Sequence, residues 1–520
     1  LTVQLTRSEY RVENSKPVVY LFCRENGKRV VRTDTSLIPY FFVPEPEKDK
    51  LSGIRQDKES YEAVDGTKIV KVYTTLPSDV PELRTKYSRT WEADILFPIR
   101  YQIDKVDSLE PCNPVIMFID IETDNSGRVP DPEQAKEPVI CVTCFSNETY
   151  TTFIYRNDFS PGTASRVSWG TLHEVKYYKT EKDLLRALVD FIADEEPDII
   201  SGWNQTRFDL PYLINRMARL GIDYSRMSPM GEVYARDTDV VIKGIAIIDL
   251  YDAYRKFSEG LEESYKLDFI GRKVAGIGKT TIGNNVRYMW RQKPDDLIEY
   301  NAQDTRICVA IDRKLMLLDF LDEIRRLSFC HLEDTLSASR TADSYILRLF
   351  HGKKIFPTKV KHEKYRYEGA YVDSWAKGIY ENVAVFDIKS LYPSIVSSCN
   401  MSPETVFDND NTYNAVLRIG NIVIRQDIKG FLPQVIENLF QERTKYKDLM
   451  KQEEPDSDKY KLYDLRQRAL KTLLNALYGQ TAYIGSRIHD ARIAETTTWI
   501  GRKIINWSKD FLESIGYNVI

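Results

Sequence analysis

VIMFIDIET, Val115 to Thr123, decides how this chain is read. Five apolar residues lead into Asp120, Ile121 and Glu122. A short apolar, β-branched run of this length reads as a buried strand. Successive strand residues alternate between faces, so Asp120 and Glu122 share one face. Two carboxylates leaving a buried strand side by side repel each other. They need a cation, or one of them must keep a proton. A strand end that merely meets solvent would show the same letters, so the pair is weighed with its surroundings.

Outward from this strand the pattern alternates. Strand-like PVICVTCF and DIISGW are interleaved with helix-like TEKDLLRALVDFIADEE and LPYLINRMARLG. That alternation predicts an α/β unit over residues 111–315. Upstream, PVVYLFC and IPYFFVPEP are short strands separated by the turn signals ENGK and VDGTK. Residues 316–350 read as helical. ENVAVFDI reads as one further buried strand near residue 380. Two long amphipathic helices follow, about 433–452 and 460–478, with the acidic EEPDSDKYK as the tip of their hairpin. GYNVI, Gly516–Ile520, reads as a strand just beginning. The expected fold class is multidomain, α/β and α+β.

The bulk numbers agree with several domains. At 520 residues a prior of about 150 per domain gives three or four. Charged residues are 29% and hydrophobic ones 42%, ordinary for a soluble globular protein. A net charge of −4 does not exclude nucleic acid, because the charge of a groove is local. The 32 tyrosines decide nothing by number alone. Seven dispersed cysteines point to a reducing compartment. Cys141 and Cys144 form a lone CxxC within a strand pattern, where i and i+3 face opposite ways, so both are read as core residues rather than metal ligands. No apolar run reaches the roughly 18 residues of a membrane span, and no membrane partner is expected. The five histidines are scattered and receive no role.

More acids follow in order. GWNQTRFDLPYL places Asp209 at the start of a helical pattern. DLIEYNAQDTRICVAID places Tyr300 and Asp304 at i and i+4, on one helix face. Any one of them could be a solvated charge or a cap. Four in one α/β unit suggest a site for two divalent metals about 4 Å apart, able to activate a water and stabilise a leaving oxygen in phosphodiester hydrolysis. Oxygen ligands suit Mg²⁺ or Mn²⁺.

DIET, NQTRFD and YNAQD together resemble the three exonuclease motifs of the DEDDy class in family B DNA polymerases. The resemblance implies an RNase H-like 3′–5′ proofreading domain. It implies that Asp120, Glu122, Asp209 and Asp304 hold metals, and that Tyr300 orients the attacking water. VAVFDIKSLYPS resembles motif A of the same family. It implies that Asp387 binds both polymerase metals, and that Tyr392 packs under the sugar and excludes a 2′-hydroxyl.

QERTKYK carries Arg443 and Lys447 at i and i+4, and LKTLLNALYGQ carries Lys471, Asn475 and Tyr478 on one face. In an antiparallel hairpin such cationic faces can converge on a triphosphate. The second stretch resembles motif B, with Ala476 where Ser is common. By that resemblance Arg443, Lys447, Lys471 and Asn475 bind the incoming nucleotide, and Tyr478 lies near the nascent base pair. YRYEGAYV, with Tyr367 and Gly369, resembles the YxGG segment that touches the template, with Ala370 in place of the second glycine. RTWEADILFPIRYQIDK looks archaeal in type, cellular or viral.

The expected organisation is an N-terminal domain of 1–110 plus 316–351 and an exonuclease domain of 111–315. An incomplete palm of 352–432 plus 480–520 and fingers of 433–479 complete it. In the family, GYxVxY-like strands lead into motif C, a YGDTDS-like hairpin bearing the second palm carboxylate. GYNVI matches the start of that strand. Truncation, a naturally split polymerase and an intein at this position all remain open. The expected partners are primer–template DNA, dNTPs, a C-terminal fragment carrying motif C and thumb, and a sliding clamp. The expected location is cytoplasmic, on the nucleoid. Two other readings stand beside this one, an exonuclease acting alone and a non-catalytic DNA-binding scaffold.

Overall fold

The computed structural model describes all residues except 1, 125–129, 237–238, 259, 281–284, 373–376 and 410–414. The chain opens with two small antiparallel sheets. Strands β1 (Leu5–Glu13), β2 (Lys16–Glu25) and β3 (Lys28–Asp34) form the first in chain order; β4 (Tyr40–Pro44), β5 (Gln56–Glu62) and β6 (Lys68–Tyr73) form the second, with β6 central.

Seven strands then build the largest sheet: β7 (Ile116–Thr123), β8 (Val139–Ser146), β9 (Thr149–Tyr155), β10 (Gly162–Ser168), β11 (Thr171–Tyr178), β12 (Ile199–Gly202) and β13 (Ala246–Asp249). Their spatial order is β10-β11-β9-β8-β7-β12-β13. VIMFIDIET becomes β7, flanked by antiparallel β8 and parallel β12. Helices α1 (Glu181–Glu195), α2 (Asp209–Leu220) and α3 (Pro294–Leu315) cover the sheet.

The two faces of β7 go to different cores. Met117, Ile119 and Ile121 pack with Leu184, Leu185 and Leu188 of α1 and Leu210 and Leu213 of α2. Each such leucine contributes about 2 kcal/mol by leaving water. Phe118 points the other way and joins Ile307 and Ile311 of α3. Cys144 belongs to the first core and Cys141 to a neighbouring one that includes Ile298 of α3. The alternation of the CxxC is as expected.

Helices α4 (Leu317–Ser328) and α5 (Ala338–Leu349) return the chain to its N-terminal strands, where Arg7 pairs with Glu333 at 2.6 Å. A short helix α6 (Leu391–Ser398) precedes the long hairpin of α7 (Phe431–Met450) and α8 (Asp458–Ala482), which is followed by α9 (Ala491–Ser514). Each hairpin helix starts two residues earlier than predicted, and α8 runs four residues further. Between α8 and α9, buried Arg487 reaches Asp94 at 2.9 Å and the Pro357 carbonyl at 2.8 Å and also pairs with Asp343, tying this half to the first. No helix among the described residues is long and apolar enough to cross a membrane.

Two sequence expectations fail. ENVAVFDI is not a strand, and it is not buried. Val385 is 90% exposed and Phe386 84% exposed. GYNVI is not a strand either, with Tyr517 66% exposed. A strand is held by its lateral hydrogen bonds and cross-strand neighbours. Among the described residues nothing pairs with either segment, so alternation and apolarity alone do not build the sheet.

Candidate active site

Three elements converge at one end of the seven-stranded sheet. β7 directs Asp120 and Glu122 to the face it shares with Phe118, towards α3. α3 starts with Pro294, a residue suited to a first turn because that N–H has no helical partner. Further along it carries Tyr300 and Asp304 one turn apart.

Asp209 is the first residue of α2, and the turn before it fixes its place. A Cβ on Gly202 would stand 2.7 Å from the Ile119 carbonyl oxygen, so only glycine lets this turn pass so close to β7. Asn204 takes a left-handed φ of 65°. The Asp249 carboxylate, at the end of β13, accepts from the N–H groups of Asn204 at 2.9 Å and Thr206 at 3.1 Å. The carboxylate of Asp209 then accepts from the Ile121 N–H at 3.1 Å, between the two acids of β7.

Oxygens of Asp120, Glu122 and Asp304 lie within 4.8 Å of one another. Burial, with the mutual repulsion of the acids, pushes Asp120 well above the usual carboxylate range. Burial and then Asp304 push Glu122 up to about 8. Asp209 rises to about 7, again mainly by burial, although backbone N–H donors oppose the rise. Tyr300 is raised to about 12 by burial, so its hydroxyl keeps its proton at neutral pH.

This donor set fits divalent cations. All donors are oxygens, those of Asp120, Glu122 and Asp304 are crowded within 4.8 Å, and among the described residues nothing hydrogen-bonds the buried Oδ1 of Asp304. The other oxygen of Asp304 pairs with the Lys279 ammonium, which also sits 5.5 Å from the Tyr300 ring centroid. Burial works against the charge of Lys279, but Asp304, Tyr300 and Asp120 outweigh it and hold the group cationic.

Lys279 is a site residue that sequence reasoning missed. It lies in GIGKTT, which has neither helical nor strand period, so nothing in the pattern marks it. A positive charge here can stabilise negative charge growing on a phosphate. Lys279→Met is expected to slow hydrolysis of single-stranded DNA about 10²-fold in single-turnover assays, with filter-binding affinity nearly unchanged. Asn301 was also missed; its amide donates to Asp120 at 2.6 Å.

The second set of residues assembles only partly. Asp387 lies on the exposed, unpaired segment, and no acid cluster forms around it among the described residues. Tyr392 on α6 packs against Tyr478 of α8, with ring centroids 4.7 Å apart. Glycine at 501 makes room: a Cβ there would stand 2.9 Å from the Tyr392 ring. Burial and then the neighbouring Tyr367 push the Tyr478 hydroxyl up, and the Gly369 carbonyl accepts from Arg502 at 2.6 Å. Tyr367, Tyr392 and Tyr478, from three separate motifs, thus meet in space. On the hairpin, Arg443 of α7 reaches Gln467 of α8 at 3.4 Å, Lys447 is half-buried, and Lys471 and Asn475 are exposed on α8.

Two family models match this chain. The family model described as DNA polymerase family B matches residues 332–519. The model described as DNA polymerase family B, exonuclease domain, matches residues 79–270. DNA polymerase 1 of Pyrococcus abyssi is 28% identical over 561 residues, spanning 99% of this chain and 69% of that protein. The DNA polymerase of Archaeoglobus fulgidus is 29% identical over 566 residues, spanning 99% of this chain and 68% of that one. The solved structure of the family B DNA polymerase from the hyperthermophilic archaeon Pyrobaculum calidifontis matches the whole chain with a TM-score of 0.84 at 24% identity, a likeness of fold.

Proposed function

This chain belongs to the family B DNA polymerases and carries their exonuclease domain, and from this we propose that it is the proofreading and nucleotide-binding part of a replicative DNA polymerase. The proposed division is an N-terminal domain of 1–110 plus 316–351, an RNase H-like exonuclease of 111–315, palm segments of 352–432 and 480–520, and fingers of 433–479.

The observation that carries the reading is the crowded cluster of Asp120, Glu122 and Asp304. With Asp209 they would hold two Mg²⁺ or Mn²⁺ ions. When bound, these supply an acidified water and a counter-charge for the leaving 3′-oxygen. The protein's own groups do the rest. The Tyr300 hydroxyl, still protonated at neutral pH, is a donor that orients a water rather than a base that deprotonates it. Lys279 adds fixed positive charge beside the scissile phosphate. Hydrolysis would release a 5′-nucleotide and leave a new 3′-hydroxyl.

For synthesis, Asp387 is the proposed metal ligand from motif A, and Tyr392 the residue that excludes a 2′-hydroxyl. Arg443, Lys447, Lys471 and Asn475 would grip the triphosphate, Tyr478 would lie near the nascent pair, and Tyr367 and Gly369 near the template. One carboxylate is a poor host for two metals. The second belongs, in this reading, to the part of its relatives' length that the chain does not span; that polypeptide would also pair with Val383–Ile388. A clamp is a further proposed partner. The exposed Asp387 segment gives weight to a second reading, in which the 520 residues by themselves act as an exonuclease only.

The test is a gel. The purified 520-residue chain is mixed with 5′-labelled primer on template, Mg²⁺ and four dNTPs. Shortening without extension is the expected result; full extension by this polypeptide alone would overturn the assignment of the missing carboxylate.

A further inference from the structure

Asn301 stands between Tyr300 and Asp304 in the sequence but has no place in the scheme so far. It is fully buried within α3, where an amide must find hydrogen-bond partners to offset its lost water. Its Nδ2 donates to Oδ2 of Asp120 at 2.6 Å. Its Oδ1 accepts from the Cys141 thiol at 3.5 Å. Cys141 lies on β8 directly opposite Glu122 of β7. A thiol, an amide and a carboxylate from β8, α3 and β7 therefore form one short chain.

The polarity of that chain is fixed by chemistry. A carboxylate that holds a metal is ionised and only accepts, so the NH₂ end of the amide must face Asp120. The thiol has a proton to give, so it faces the carbonyl end. Turning the amide over would set oxygen against oxygen on one side and leave the thiol facing a donor on the other.

We propose that Asn301 is a positioning residue for the exonuclease, holding Asp120 by one oxygen so that the other is presented to a divalent cation. This rests on the reading of the acids as a metal site. The residue type suits the task. A lysine or arginine at this position would cancel the charge that attracts the metal, whereas an amide gives a hydrogen bond and leaves the charge intact. Asp304 and Asp120 are thus restrained in different ways: the first by an ammonium that a metal can displace, the second by a neutral donor that stays. Without the amide, the buried Oδ2 of Asp120 would lose the hydrogen bond that fixes it.

The test uses the DNA-free chain and Mn²⁺, read by electron paramagnetic resonance, with Mg²⁺-dependent cleavage of labelled single-stranded DNA alongside. Asn301→Leu is close in size and removes the donor. Its Mn²⁺ dissociation constant should rise about 10- to 100-fold, the loss typical for a hydrogen-bond partner behind a ligand. The Mg²⁺ midpoint for cleavage should shift likewise, while KM for DNA stays put and kcat recovers at saturating metal. A purely structural role would lower the melting temperature without moving the metal midpoint. Asp120→Ala is the control. If it weakens Mn²⁺ binding and Asn301→Leu does not, the positioning role is wrong. If Asp120→Ala leaves binding untouched, the metal-site reading fails and the inference falls with it. Should Asn301→Leu not fold, Cys141→Val decides, since it keeps the amide but removes what orients it. A few-fold loss in Mn²⁺ affinity supports the role, and unchanged affinity refutes it.

Discussion

The double variant Asp120→Ala, Glu122→Ala should shorten a 5′-labelled single strand at least about 10³-fold more slowly than the parent chain. Metal stabilisation of developing charge supplies several kcal/mol, and each 1.36 kcal/mol is a factor of ten in rate. Both residues leave β7 on the face that meets α3, so their loss removes ligands and leaves the two apolar cores of the sheet in place. DNA affinity, carried by contacts to phosphates, should be retained and should still fall steeply with added salt. A variant that cleaves at the parent rate would refute the metal assignment; one that loses DNA binding and cleavage together would make these acids part of the fold.

The second large effect joins pH, metal and stability. In the folded chain Glu122 and Asp209 titrate near 8 and 7, well above ordinary carboxylates. Between about pH 4 and pH 8 the folded state therefore holds protons that the unfolded chain has released. Stability falls with rising pH wherever the folded state binds more protons, so in EDTA this domain should weaken steadily from pH 5 to pH 8.5. A metal binds the ionised ligands and displaces those protons, so its benefit should grow over the same interval. At a concentration of 100 times its dissociation constant a ligand adds about 2.7 kcal/mol, roughly 5–10 °C for a domain of this size. Scanning calorimetry with EDTA or Mg²⁺ should show that gap at pH 8.5 and little of it at pH 5.5. A gap independent of pH would mean that these acids are already ionised without metal.

Much of this was legible in the sequence, for reasons that differ by residue. β7, β8 and β12 are apolar runs bounded by turns, and α1 and α2 carry strong helical periods, so their burial follows from short-range pattern. Asp120 and Glu122 could be put on one face because strand geometry is periodic, and Tyr300 and Asp304 because helix geometry is. Asp209 needed more. Its place depends on a left-handed Asn204, a Gly202 pressed against β7 and the Asp249 carboxylate, the last of them distant in sequence. Lys279 was invisible because it sits in an aperiodic stretch and enters the site only through tertiary packing. ENVAVFDI misled for the opposite reason: its pattern is that of a core strand, but a sheet needs a neighbour, and a single strand's letters do not supply one.

That exposed run has a consequence for self-association. Val383, Ala384, Val385, Phe386 and Ile388 combine β-branched and aromatic character with exposure, the composition that pairs with other copies. Glu381 and Lys389 flank it and Asp387 interrupts it, in the positions of charges that keep such segments from stacking on their own copies. Whatever else its carboxylate does, Asp387 is thus also the charge that breaks an otherwise continuous exposed apolar run.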